Sequence, residues 1–168
     1  PKNLEEKLGF EQIREILKEN CMSSLGIEFV EKIRFSHNFE LIEKLCNQTL
    51  EFATILRKQI SFPQQNYINV NQHLHNAKIE GTYLDESSFF DIKLSLKTIV
   101  ECLRFLKQNQ EDFPTLSELR KNVDFEKSIL SELERVIDDK GKMKSNASPT
   151  LAMIRSNIVN RQSNLRKQ

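Results

Sequence analysis

Apolar side chains recur three and four residues apart along most of the chain, and this period predicts helices. The clearest run follows Asp85, with steps of 3, 4, 3, 4 and 3: Phe89, Ile92, Leu96, Ile99, Leu103 and Leu106. Such a seam is typical of a long helix that packs against another of similar length. A helix from Asn38 to about Gln59 is the expected partner.

Polar residues that can cap helices stand at the start of several apolar runs. Their side chains can accept hydrogen bonds from the unpaired amides of a first turn. The candidates are Ser23 or Ser24, Asn38, Asp85, Asp124 and Ser148. Pro149 follows the last of them at the first helical position, which suits proline because no amide donor is needed there.

Glycine and proline predict the breaks between elements. Residues 3–20 are predicted to form one helix that Gly9 can interrupt, and a short helix over residues 72–79 is predicted to end before Gly81. The segment 61–70 is predicted to be a loop, and Pro114 to open a shorter helix that reaches about residue 121.

These patterns predict an all-α protein, because sustained strand alternation is absent. We expect a multi-helix core domain over residues 1–136, a charged turn over 137–148 and the start of a long helix over 149–168. That last helix has a heptad-like row of Leu151, Ile154, Ile158 and Leu165, with Arg161 where an apolar residue is expected. No stop signal follows it, so we expect the chain to be cut there from a longer protein.

Charge is distributed unevenly although the net charge is only +1. From Lys140 onward there are seven basic residues and no acidic ones, so residues 1–139 hold 18 basic against 24 acidic residues, a net charge of −6. The asymmetry suggests an anionic partner for the basic segment or an acidic neighbour elsewhere in the parent protein. A solvated helix face balanced by residues beyond residue 168 explains it equally well.

Motifs for catalysis are absent from the 168 residues. There is no glycine-rich phosphate loop and no nucleophile with a base at suitable spacing, so we expect no enzyme activity from this segment alone. No apolar run approaches the roughly 18 residues that can cross a membrane. The three cysteines are far apart, and we expect buried, reduced thiols.

Two polar clusters contain the residue types of metal ligands but lack the arrangement of a metal site. His73 and His75 point about 200° apart if helical, and no further ligand at suitable spacing completes a site. Asp138 and Asp139 precede Gly141, and aspartate followed by glycine is typical of a turn. We therefore predict a turn there and no metal ion.

The stretch from Ile137 to Arg155 resembles a motif of the MutS superfamily. In that family the pattern I-D-x-x-G-x-(I/V/M)-x-D-x-A-S-P-x-L-x-x-I-R precedes the lever and clamp helices. The matching residues here are Ile137, Asp138, Gly141, Ala147, Ser148, Pro149, Leu151, Ile154 and Arg155. Ser145 stands where the family often has aspartate. Within the superfamily, the sequence is most similar to the type-two bacterial branch. Residues 4–13 and 23–26 resemble the amino-terminal sequence of that branch.

The resemblance implies the amino-terminal core, or lever base, of a cytoplasmic bacterial protein. Members are homodimeric ATPases that use ATP and Mg, and most carry an endonuclease domain. They bind branched or duplex DNA in suppressing recombination, or act on stalled ribosomes in ribosome quality control. In this reading the candidate phosphate contacts are Arg155, Arg161, Arg166 and Lys167.

A helical adaptor module without a nucleic-acid role is the alternative. Such a module would use the apolar seam to dimerise, and it would show no salt-dependent binding to branched DNA.

Overall fold

The computed structural model describes residues 4–123 and 125–166 and is all-α. Contacts divide the chain into two compact units, and both are discontinuous in sequence. Unit 1 is built from Pro1–Asn69 and Thr98–Asp124, and unit 2 from Val70–Lys97 and Phe125–Gln168. Helix α6 (Glu86–Gln108) contributes residues to both units. No helix in the described part of the chain is both long and apolar enough to span a membrane.

Unit 1 begins with three short helices, α1 (Leu4–Lys7), α2 (Phe10–Glu19) and α3 (Ser24–Glu31). The break between the first two falls at Gly9, whose φ of 69° is left-handed, so the predicted interruption is confirmed. The hydroxyl of Ser23 caps α3 by accepting a hydrogen bond from the Gly26 amide. The predicted start of this helix is therefore confirmed as well.

Arg14 ties these short helices together from a nearly buried position on α2. Its guanidinium donates to the Glu5 carboxylate (3.2 Å) and to the Ile33 carbonyl (3.1 Å). The hydrogen bond from Arg14 lowers the pKa of Glu5 and raises that of Arg14. These charge-assisted hydrogen bonds link α2 to α1 and to the residues that follow α3.

The main core of unit 1 forms where α4 (Phe39–Arg57) meets the last turns of α6 and the short helix α7 (Pro114–Ser117). A 3₁₀ helix, Glu118–Asn122, extends α7. The buried cluster consists of Ile55, Phe105, Leu106, Phe113 and Leu116. Phe62, from the loop after α4, packs edge-on against Phe52 and Phe105 with ring centres 5.2 and 5.0 Å apart.

Glu51 on α4 caps helix α7 from outside that helix. Its two carboxylate oxygens accept hydrogen bonds from the amides of Thr115 (2.9 Å) and Leu116 (2.8 Å). These amides have no partner within the helix, and a negative charge there also complements the helix dipole. The contact links residues more than sixty positions apart.

Unit 2 contains α5 (Asn71–Ala77), the first turns of α6, α8 (Lys127–Val136) and α9 (Pro149–Leu165). Asp85 caps α6 by accepting from the Ser88 amide at 2.8 Å, as predicted. His73 on α5 contacts the Asp91 carboxylate on α6 at 3.2 Å. The predicted cap at Asp124 lies outside the described residues, and Glu126 directly precedes α8.

The prediction that all three thiols are buried was wrong. Cys46 is exposed, although all three cysteines are free thiols as expected. Ile42 and Leu45, in the first half of α4, are exposed, whereas the buried residue Ile55 lies near the carboxyl end of that helix. Ile129 on α8 is also exposed. Ile42, Leu45 and Ile129 follow the helical period of apolar positions, but no residue that the structure describes covers them enough to bury them.

Candidate nucleic-acid interface

A tight turn joins α8 to α9 and contains most of the sequence motif singled out above. Ile137 and Met143 form an isolated antiparallel bridge, and the Asp138 amide donates to the Lys142 carbonyl at 2.9 Å. The side chain of Asp138 accepts from the amides of Lys140 and Lys142, each at 2.8 Å. The aspartate therefore organises the turn by bonding its backbone, which is the prediction made from sequence.

Gly141 is required in this turn for two reasons. Its φ is 75°, a left-handed value that side chains other than glycine rarely adopt. In addition, a Cβ atom at this position would lie 3.1 Å from two ring atoms of Phe90 on α6. The turn backbone therefore lies directly against α6 at this point.

Lys93 on α6 anchors the other side of the turn from a buried position. Its ammonium group donates to the carbonyls of Ile137 (3.2 Å) and Asp138 (3.1 Å) and to the Asp139 carboxylate (3.0 Å). The hydrogen bond from Lys93 lowers the pKa of Asp139. All three donors of the ammonium are used, which is how a nearly buried charge is normally accommodated.

Further side chains brace the turn. Glu86 on α6 accepts from the Met143 amide at 3.1 Å. From α8, Arg135 donates to the Ala147 carbonyl at 2.9 Å, and the Lys144 ammonium donates back to the Glu134 carbonyl at 2.7 Å. Side chains thus fix the turn to α6 and α8, in addition to the hydrogen bonds within the turn's own backbone.

Helix α9 begins where the motif predicts. Ser148 caps it by accepting from the Leu151 amide at 3.1 Å, and Pro149 occupies the first turn. The buried motif residues are Ile137 and Ala147, Leu151 is half-buried and Ile154 is exposed. The predicted apolar row is therefore exposed beyond Leu151, with Ile158 49% and Leu165 71% exposed.

The predicted phosphate contacts differ in their surroundings. Arg155 is half-buried, and its Nη1 donates to the Met143 carbonyl (3.3 Å) and the Ser145 hydroxyl (3.1 Å). Arg161 and Arg166 are exposed, and Lys167 lies outside the described residues. At 100° per residue, Arg155 and Arg166 share one side of α9, whereas Arg161 borders the apolar row. The three candidates that the structure describes therefore do not form a single cluster.

Sequence patterns overlooked the side chains that hold the turn, above all Lys93. One signal was available, because Lys93 lies four residues after Phe89 and three before Leu96, beside the apolar seam of α6. A lysine next to a buried stripe can extend its ammonium group to nearby carbonyls. Neither residue spacing nor charge pattern indicated that these carbonyls would come from residues 137 and 138.

Acid is expected to weaken the turn through Asp138. The amides of Lys142 and Lys140 hold its pKa below the ordinary value of 3.8. A carboxylate with a lowered pKa stabilises the fold above its ordinary pKa, and this contribution disappears as the pH falls through the lowered value. The difference in urea midpoint between the wild type and Asp138→Asn should therefore be largest near pH 6 and shrink towards pH 3.

The variant Asp112→Asn removes an exposed carboxylate elsewhere and controls for the change in net charge. A midpoint difference for Asp138→Asn that stays constant from pH 6 to pH 3 would contradict the role given to its charge.

Metal chemistry has no support in this region. Within residues 4–123 and 125–166, no group of three or more histidine, cysteine, aspartate or glutamate side chains could hold a metal ion. The region consists of a braced turn followed by a helix with exposed arginines, and it contains no acidic residue from Lys140 onward.

Comparison with known proteins gives one consistent set of relatives. The chain is 30% identical over 166 residues to the Endonuclease MutS2 of a Geobacillus species, covering 96% of this chain and 21% of that protein. It is 29% identical over 163 residues to the Endonuclease MutS2 of Alkaliphilus oremlandii, covering 96% and 20%. A Putative endonuclease MutS2 of Bacillus subtilis is 28% identical over 163 residues, covering 95% and 20%. The chain spans about a fifth of the length of these curated relatives. No protein-family model and no solved structure matches it.

Proposed function

Because this chain is a relative of the type-two MutS proteins over almost its whole length, we propose that it is the helical core, or lever base, of a DNA-binding ATPase of that class. The similarity over 96% of the chain is the observation that carries the proposal. The braced turn between α8 and α9 supports it, because the motif that resembles the MutS superfamily folds into this turn and the helix after it.

The segment transmits motion in this proposal. A turn fixed by Lys93, Glu86 and Arg135 cannot bend easily, so a displacement of α6 or α8 is passed to α9. Helix α9 is then the first part of the lever that opens and closes a clamp around nucleic acid. The partner is branched or duplex DNA, or ribosomal RNA in a stalled ribosome, and the parent works as a cytoplasmic homodimer. Its roles are suppression of recombination or ribosome rescue.

ATP, Mg and any endonuclease activity belong to the parent protein in this proposal. The residues of this chain do not fit a nucleotide site, because the sequence has no glycine-rich phosphate loop and the described residues offer no cluster of metal ligands. Sequencing the parent gene beyond codon 168 tests this assignment. A phosphate loop of the form G-x-x-x-x-G-K-[ST] downstream is expected. A stop codon soon after Gln168 or an unrelated domain would refute the proposal.

Exposed arginines of α9 contact phosphates in this scheme. In the parent protein, replacing both Arg161 and Arg166 by glutamate is expected to weaken binding to a four-way DNA junction or to ribosomes. The slope of log affinity against log salt should fall in magnitude by about two, because each phosphate contact contributes about one. Equilibrium binding at several salt concentrations measures this slope.

The matched control replaces two exposed arginines of unit 1, Arg57 and Arg104, by glutamate. This control should leave the salt dependence of binding unchanged. If the two double variants behave alike, α9 has no special role in contacting nucleic acid.

A helical dimerisation or adaptor module is the second candidate, favoured by the exposed apolar row on α9. Ile154, Ile158 and Leu165 are each at least 47% exposed, which is typical of a face that packs against a partner helix. Sedimentation equilibrium of the chain, combined with binding to branched DNA, separates the two functions. Dimerisation without salt-dependent DNA binding would support the adaptor.

A further inference from the structure

A shallow cleft of about 350 Å³ lies between the turn and the first half of α9. Its polar lining residues are Ser145, Asn146, Arg155, Ser156 and Asn160. Small aliphatic side chains complete it, among them Val159. No acidic side chain lines the cleft, and the whole segment from Lys140 onward contains none.

Arg155 is held in place at this cleft. Its Nη1 donates to the Met143 carbonyl and the Ser145 hydroxyl, two acceptors that belong to the braced turn. A guanidinium has five N–H donors, and no described residue accepts from its Nε or Nη2. An arginine fixed at one nitrogen loses little further side-chain freedom when it binds an anion through the others. This distinguishes Arg155 from the exposed Arg161 and Arg166.

The residues around Arg155 include polar groups that can contact a phosphate ester and aliphatic groups that can contact a sugar. Hydroxyl and amide side chains contact phosphate oxygens and sugars in nucleic-acid complexes, and arginine binds phosphate through two parallel N–H donors. Ser156 and Asn160 lie four residues apart and therefore on the same side of α9, one turn from each other. Aliphatic carbons such as those of Val159 can lie against a sugar ring.

We propose that this cleft binds one phosphodiester group of a nucleic-acid backbone, with Arg155 as the main donor and Ser156 and Asn160 completing the site. The inference rests on the proposed function, in which nucleic acid approaches α9. It adds a defined binding site for one phosphate at the start of the lever. Arg161 and Arg166, by contrast, attract phosphates without forming such a site. DNA and RNA share this phosphodiester chemistry, so both are tested.

The decisive comparison uses two substitutions of the same kind on the same helix. Asn160→Asp places a carboxylate in the cleft, whereas Asn157→Asp places one on an exposed residue of α9 that does not line the cleft. Both variants keep Arg155 and its bonds to the turn. Binding of the 168-residue chain to a labelled four-way DNA junction and to a labelled RNA hairpin is measured by fluorescence anisotropy. Asn160→Asp should weaken binding about tenfold more than Asn157→Asp, because it brings a like charge next to the phosphate.

Backbone amide shifts in NMR spectra then report on the cleft itself. The chain is titrated with a phosphate-linked dinucleotide, in a deoxyribose and a ribose form. Shifts are expected at residues 145–146 and 156–160 and should be lost in Asn160→Asp but kept in Asn157→Asp. A larger response to one form identifies the preferred nucleic acid.

Two outcomes separate this site from the proposed function. Equal weakening of junction and hairpin binding by both variants, with no dinucleotide shifts at the cleft, would overturn the site and leave the nucleic-acid role of α9 standing. Dinucleotide shifts at the cleft without any binding to junction or hairpin would support the site but contradict the proposed nucleic-acid role of this segment.

Discussion

Replacing Lys93 by methionine is expected to lower the free energy of unfolding by about 2–3 kcal/mol, the usual range for losing hydrogen bonds to a charged group in a nearly buried place. Methionine keeps most of the aliphatic stem and removes the ammonium. The carbonyl of Ile137 then loses the hydrogen bond that Lys93 donates, and Asp139 loses its ion pair. Urea denaturation measures the total effect, and amide hydrogen exchange at Met143 and Lys144 shows whether the turn opens first.

Lys97→Met is the matched control because Lys97 lies one turn further along α6 and is exposed. It should change the unfolding free energy by no more than about 0.5 kcal/mol, as is usual for surface positions. If Lys93→Met and Lys97→Met shift the urea midpoint equally, the ammonium of Lys93 does not anchor the turn.

Gly141→Ala is expected to lower the free energy of unfolding by about 2–3 kcal/mol, for two separable reasons. A left-handed backbone costs a residue with a Cβ about 1–2 kcal/mol. The remainder comes from the new Cβ, which would lie 3.1 Å from the Phe90 ring and force the ring or the turn to move. Thermal or urea unfolding of the chain measures the sum.

Gly81→Ala separates these two contributions. Gly81 has a similar φ of 82°, but a Cβ there meets nothing within 4 Å. This variant should therefore show the conformational cost alone. Equal losses for Gly81→Ala and Gly141→Ala would mean that the close approach of the turn to Phe90 contributes nothing to stability.

Local patterns predicted the helix boundaries well because capping is a local interaction. Ser23, Asn38, Asp85 and Ser148 each accept from an amide three residues later, so both partners are visible in a short stretch of sequence. The glycine break at residue 9 follows the same logic, since one backbone angle decides it. The turn at Asp138 was predicted for the same reason, through amides two and four residues on.

Side chains that bond across the fold could not be predicted from spacing. Glu51 bonds amides 64 and 65 residues away, and Lys93 bonds groups 44 to 46 residues away. A charged residue within a helical pattern is normally assigned to the solvent face, because an isolated charge is costly to bury. Only the tertiary structure shows that backbone groups are in place to receive it. On α4 and α9 the helical period of apolar positions is clear, but side chains such as Leu45 and Ile158 are left exposed by the residues that the structure describes.

Glu51 also constrains the order in which the chain can fold during synthesis. The amides that it caps belong to Thr115 and Leu116, and Phe105, Leu106 and Phe113 are needed for the cluster around Ile55. Unit 1 therefore cannot close its core until the ribosome has made residue 116, and unit 2 cannot anchor its turn until residues 137–139 follow Lys93. Until then α4 carries an exposed apolar face, and the nascent chain is open to non-native association.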